Sequence, residues 1–128
     1  MPIQLTTISE EGFAATTAIR NQEVTVDLDQ EQAPDSLETL LATYASCYVP
    51  AFRVGGRQRG VDELGTIEID VTGEKNDDDK LESISFAIDV DADLDDETAG
   101  KIVERANELC KVHDALKSSL HADVTVNT

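Results

Sequence analysis

Cys47 and Cys110 are the only cysteines of this chain, and they are the side chains best suited to carry chemistry. A thiol reacts as its thiolate, so each must be judged by what would stabilise a negative sulfur. Cys47 sits between Tyr44 and Tyr48 in an apolar stretch. A free cysteine so placed is commonly an inert small hydrophobe, because burial raises a thiol pKa. In the middle of a helix it is also out of reach of that helix's positive end, so a reactive sulfur there must borrow positive charge from elsewhere. Cys110 is followed by Lys111 and His113, both of which can offer such charge. The plainer account is a solvated lysine and a histidine that caps a turn through a backbone hydrogen bond, and on residue types alone it is the stronger one.

Neither cysteine has a partner at C-x-x-C spacing, and the only histidines are His113 and His121. Zinc is therefore set aside, and no cofactor is expected. One pair is also too few for the disulfide framework of a secreted domain of this length.

The elements that must position these sulfurs can be read from polarity. Phe13, Ala15, Thr17 and Ile19 alternate with polar neighbours, as do Val24, Val26 and Leu28 beyond Arg20, Asn21 and Gln22. The pattern predicts a hairpin of two half-buried strands. Pro34 breaks it, and Asp35 or Ser36 followed by Glu38 marks a helix start, where side-chain oxygens receive free backbone N–H groups. The helix should run from about Ser36 to Arg53, with Leu37, Leu40, Leu41, Tyr44, Tyr48 and Phe52 recurring every three or four residues. Small residues cover much of its remaining surface, so it is built to be surrounded. Pro50 should bend or end its last turn, and Gly55, Gly56 and Gly60 should form the following loop. Two alternating strands come next, Thr66 to Thr72 and Leu81 to Val90, joined by a polar turn. Asp95 or Asp96 then caps an amphipathic helix ending near Cys110, a short helical turn spans Val112 to Leu116, and a last strand covers Ala122 to Val126. The predicted class is α+β, in the order ββ, α, ββ, αα, β.

At 128 residues the chain fits one domain, 1–128, since domains cluster near roughly 100–150 residues. No apolar run is long enough for a membrane helix, and the N-terminus lacks the basic start and apolar core of a signal peptide. A cytoplasmic, soluble protein is expected. Asp and Glu number 27 against 10 Lys and Arg, a formal net charge of -17. That field repels nucleic acid and anionic membranes, so neither is expected as a partner. Abundant Asp, Thr and Val with few Lys point to adaptation to high salt, which screens the mutual repulsion. The run Asp89 to Asp93 imitates a calcium loop but puts Leu94 where the turn glycine belongs and Gly100 where the bidentate Glu belongs. Among the five arginines Arg20 stands out, because at a hairpin its planar donor fork could reach a neighbouring site and hold a thiolate.

The segment Asp35-Ser36-Leu37-Glu38-Thr39-Leu40-Leu41-Ala42-Thr43-Tyr44-Ala45-Ser46-Cys47 resembles the S-P-L-E-T-L-L-A-A-L-G-S-C helix of the OsmC and organic hydroperoxide resistance family. Arg105-Ala106-Asn107-Glu108-Leu109-Cys110-Lys111-Val112-His113 is similar to that family's A-x-x-x-C-P-V-H segment. The resemblance implies antiparallel sheets wrapped around two central helices in an intertwined homodimer. It also implies reduction of organic hydroperoxides, fatty-acid hydroperoxides among them. Cys47 would be the attacking sulfur, Cys110 the resolving one, Arg20 the activator, and a dithiol such as dihydrolipoamide the reductant. In the peroxidase branch a glutamate ten residues before the first cysteine helps hold the arginine; that position here is Leu37, with Glu38 nine before. One residue is about 100 degrees of helix rotation, so Glu38 points differently. Ser36 and Lys111 replace two of the family's prolines. Retention of both cysteines favours a peroxidase. The changed glutamate position favours the alternative, a member that binds a small apolar ligand or senses oxidants.

Overall fold

The alternating segments build two separate sheets. The computed structural model describes residues 2–128. In the first sheet β1 (Thr6–Ile8), β2 (Ala14–Ile19) and β3 (Gln22–Asp27) pair antiparallel in chain order. The predicted hairpin is β2–β3, turning through Arg20 and Asn21, and β1 is a strand its short polar sequence did not announce. Arg20 takes the left-handed backbone conformation, with φ 55. After β3 the carboxylate of Asp27, only 3% exposed, accepts the N–H groups of Asp29 and Gln32, each at 3.1 Å. A buried carboxylate satisfied in this way ties down the loop that leads into the first helix.

That helix, α1 (Ser36–Gln58), starts with a reciprocal cap. The Glu38 N–H donates to Asp35 Oδ1 at 2.8 Å, and the Asp35 N–H donates to Glu38 Oε1 at 2.9 Å. The helix does not stop at Arg53 as expected. It continues through Pro50 and takes in Gly55 and Gly56. The reason is packing: a Cβ on Gly55 would lie 3.2 Å from the Ile102 carbonyl oxygen, and one on Gly56 would lie 3.0 Å from a Leu64 methyl. These glycines are close-approach positions, and their helix-weakening tendency is outweighed by the contact they allow.

The second sheet holds β4 (Ile67–Lys75), β5 (Leu81–Val90) and β6 (Asp123–Asn127) in that order. β4 and β5 are antiparallel, whereas β6 lies parallel to β5, so this sheet is mixed. Between β5 and β6 come α2 (Asp96–Leu109), α3 (Lys111–Ala115) and a 3₁₀ turn (Ser118–Leu120). Asp95 caps α2, accepting the Thr98 N–H at 2.7 Å.

By contact the chain divides into two compact units, and the boundary falls inside α1 between Leu40 and Leu41. The second unit contains the apolar core: Tyr44, Tyr48 and Phe52 of α1, Ile84, Phe86 and Ile88 of β5, and Ile102 and Ala106 of α2. Phe86 receives Tyr44 and Tyr48 edge-on, at centroid separations of 4.7 and 5.3 Å, a favoured aromatic geometry. The first unit leaves Leu5, Phe13 and Leu28 at 52, 64 and 68% exposure. Among the described residues no helix is long and apolar enough to cross a membrane.

Candidate active site

Helix rotation separates Cys47 from its aromatic neighbours. Tyr44 and Tyr48, four residues apart, share the core-facing stripe and are fully buried, while Cys47 is only half-buried. Its face of α1 carries Pro50, Ala51 and Val54, which with Leu109 of α2 line a groove of about 260 Å³ with the Cys47 sulfur in its wall. Apart from the sulfur that lining is apolar.

Cys110 occupies the junction of two helices. Its N–H closes α2 on Ala106 O at 2.9 Å, and its sulfur caps α3 by accepting the His113 N–H at 3.5 Å. The plainer account of this neighbourhood thus describes it well: Lys111 is exposed, and His113 bonds through its backbone. The first N–H groups of any helix lack intrahelical partners. Here those of Lys111 and Val112 open α3 close enough to the Cys47 sulfur to favour its negative form.

The two thiols are consequently unequal. Burial pushes Cys47 up, but hydrogen bonding from the Val112 N–H, the Cys110 thiol and the Lys111 N–H outweighs it, leaving Cys47 below the ordinary cysteine value. Burial also pushes Cys110 up, and the His113 N–H only partly offsets it. The adjoining Cys47 sulfur drives Cys110 further in the same direction. The positive potential that a mid-helix sulfur has to borrow therefore comes from backbone donors of another helix. Lys111 and His113 do not make a thiolate of Cys110; its side chain is 1% exposed, and desolvation prevails.

Of the four residues singled out from the sequence, Cys47 and Cys110 are brought together in the second unit. Arg20 is an exposed turn residue of the first unit. Glu38, also there, has its Oε1 engaged by the Asp35 N–H and, at 3.1 Å, by the Gln30 side-chain amide. The Lys111 and Val112 N–H groups were missed, since every residue carries one and nothing in residue type marks those that face a sulfur. The Tyr44–His113 pair was missed as well, although a histidine three residues past a cysteine is a visible signal. Among the described residues no group of three or more His, Cys, Asp or Glu side chains could hold a metal ion.

An α+β frame with two neighbouring free thiols, one more acidic than the other and the more acidic one in the wall of an apolar groove, defines a two-thiol protein. The chain belongs to the OsmC family: the family model described as OsmC-like protein matches residues 15–125, across both units. A Haloferax volcanii protein named only as uncharacterized is 47% identical over 124 residues, covering 97% of this chain and 94% of its own length. Among solved structures, the OsmC-like protein of Mycoplasma pneumoniae superposes with a TM-score of 0.81 at 16% identity, over 99% of this chain and 95% of that one. The organic hydroperoxide resistance protein OhrB of Bacillus subtilis does so with a TM-score of 0.73 at 18% identity, over 99% and 98%. At such identities these two structures speak for the fold.

Proposed function

We propose that this protein is a cysteine-based peroxidase for organic hydroperoxides, acting as a single 1–128 domain in a cytoplasmic homodimer. One observation carries the reading: the sulfur whose pKa is lowered lies at the wall of an apolar groove, and the thiol whose pKa is raised lies beside it. The Cys47 thiolate attacks the outer oxygen of ROOH, the O–O bond breaks, and the alkoxide takes a proton to leave as ROH. Cys47 is left as a sulfenic acid. Cys110 sulfur then attacks Cys47 sulfur, forming the disulfide and releasing water. A dithiol such as dihydrolipoamide returns both sulfurs to thiols and is itself oxidised to a cyclic disulfide. The groove receives the apolar R group. Arg20 is the candidate donor to the leaving oxygen, with Glu38 its candidate holder.

The large apolar side chains that the first unit leaves exposed, Leu5, Phe13 and Leu28 among them, support the homodimer, because association would remove them from water. Sedimentation equilibrium should therefore read twice the 13.9 kDa chain mass; a single-chain mass would remove the dimer. High salt in the buffer suits the -17 charge.

The activity is tested by mixing reduced protein with tert-butyl hydroperoxide in concentrated salt, with dihydrolipoamide as reductant. Accelerated peroxide loss is expected, with both thiols consumed when the reductant is withheld. Cys110→Ser should accumulate sulfenic acid at Cys47, detected by dimedone labelling, and Arg20→Ala should slow turnover. Peroxide loss at the uncatalysed rate excludes the enzyme. A second reading, a member that binds a small apolar ligand or senses oxidants, is favoured by the engagement of Glu38 in the helix cap. It predicts thiol oxidation without sustained turnover in the same assay.

A further inference from the structure

Tyr44 is wholly buried, and its hydroxyl joins three segments. It accepts the N–H of Ala122, at the entrance to β6, at 3.0 Å and lies 2.6 Å from Nδ1 of His113 in α3. A hydroxyl has one proton, and with Ala122 donating to the oxygen, the Tyr44 O–H is free to donate to Nδ1. This assignment makes His113 the neutral Nε2–H tautomer. The His121 ring stacks on His113 at 3.8 Å and closes the other side.

The position of this bond gives it a consequence for the sulfurs. Tyr44 and Cys47 are three residues apart on α1, while His113 belongs to the turn that Cys110 caps. At five residues α3 is too short to hold its shape or place by itself. Its N–H groups can favour a thiolate on α1 only if something fixes the distance between the two helices. We propose that Tyr44 and His113 are positioning residues for the sulfur pair: their buried O–H···N bond clamps α3 to α1 and so holds the Cys110 junction, with the free N–H groups that open α3, beside Cys47. Tyr48 provides the contrast. It is equally buried, but its hydroxyl donates at 2.8 Å to Asn107 Oδ1 and so ties α1 to α2.

The proposal rests on reading Cys47 as the reacting sulfur, but its test needs no peroxide. The pH dependence of Cys47 alkylation by iodoacetamide, followed site by site by mass spectrometry, gives the thiolate midpoint in the reduced full chain. Tyr44→Phe and His113→Phe should each raise that midpoint by about half to one unit, the scale of a lost hydrogen-bond tether. The double variant should go no further, because both changes remove one bond. His113→Asn, whose amide oxygen can replace Nδ1 as acceptor, should stay within about 0.3 units of wild type on the same scale. Tyr48→Phe should lower the melting temperature without moving the midpoint.

Wild-type midpoints in Tyr44→Phe and His113→Phe overturn the proposal. So does an equal rise in Tyr48→Phe, which would mean general loosening. If His113→Phe does not fold, the Tyr44→Phe and His113→Asn midpoints still decide. A protein inert toward peroxide that keeps these shifts would sink the peroxidase and leave the clamp standing.

Discussion

Replacing Cys47 with Ser is expected to remove accelerated peroxide consumption altogether, a fall of more than roughly a thousandfold. A hydroxyl in the same place is not ionised near neutral pH and is a far weaker nucleophile toward an O–O bond. The pH profile of the unaltered protein gives the same argument a sign. Cys47 is held below the ordinary cysteine value, so turnover should be present above that lowered midpoint and vanish as pH falls through it. Cys110 is held above the ordinary value and should remain a thiol while Cys47 is ionised. For stability the two act in opposite directions. The Cys47 contribution is present at alkaline pH and lost as pH falls through its folded midpoint, whereas the raised Cys110 value destabilises the fold as pH rises past the unfolded one. Rates therefore report on Cys47 more cleanly than melting does. Initial rates between mildly acidic and alkaline pH check this, and a flat profile, or turnover in Cys47→Ser, contradicts the assignment.

Phe52→Ala is expected to cause the largest loss of stability, about 3–5 kcal/mol, by the usual cost of emptying a buried phenyl site. Phe52 is 0% exposed and stands next to Tyr48, at a centroid separation of 6.3 Å, in the aromatic row of α1 that packs the second unit's core. Whole domains are held by only about 5–15 kcal/mol, so such a loss is a large share of the total. Urea unfolding in concentrated salt measures it, and a midpoint shift worth less than about 1 kcal/mol would mean that the core collapses onto the gap. Conversely, thiol titration of whatever fraction remains folded should match the parent protein, because Phe52 is not among the groups that shift either thiol.

Period-two alternation announced β2, β3, β4 and β5 near their observed ends, and Asp95 announced the start of α2, because these signals are local and both faces of each element meet different solvents. The end of α1 was not legible in the same way. Gly55 and Gly56 read as a loop until Ile102 and Leu64 are seen to need the space a side chain would take. The family could be read from the residues around Cys47 and Cys110, and the family model matches.

What residue order alone conveyed was therefore the elements, the α+β class and the identity of two sulfurs worth watching. Folding supplied everything that distinguishes those sulfurs: the turn of helix that turns Tyr44 inward and leaves Cys47 half open, and the seating of α3 that presents its Lys111 and Val112 N–H groups to one thiol. A pKa depends on distances between groups far apart along the chain, and periodicity and composition carry no such distances. Only the packed chain makes one cysteine more acidic than the other.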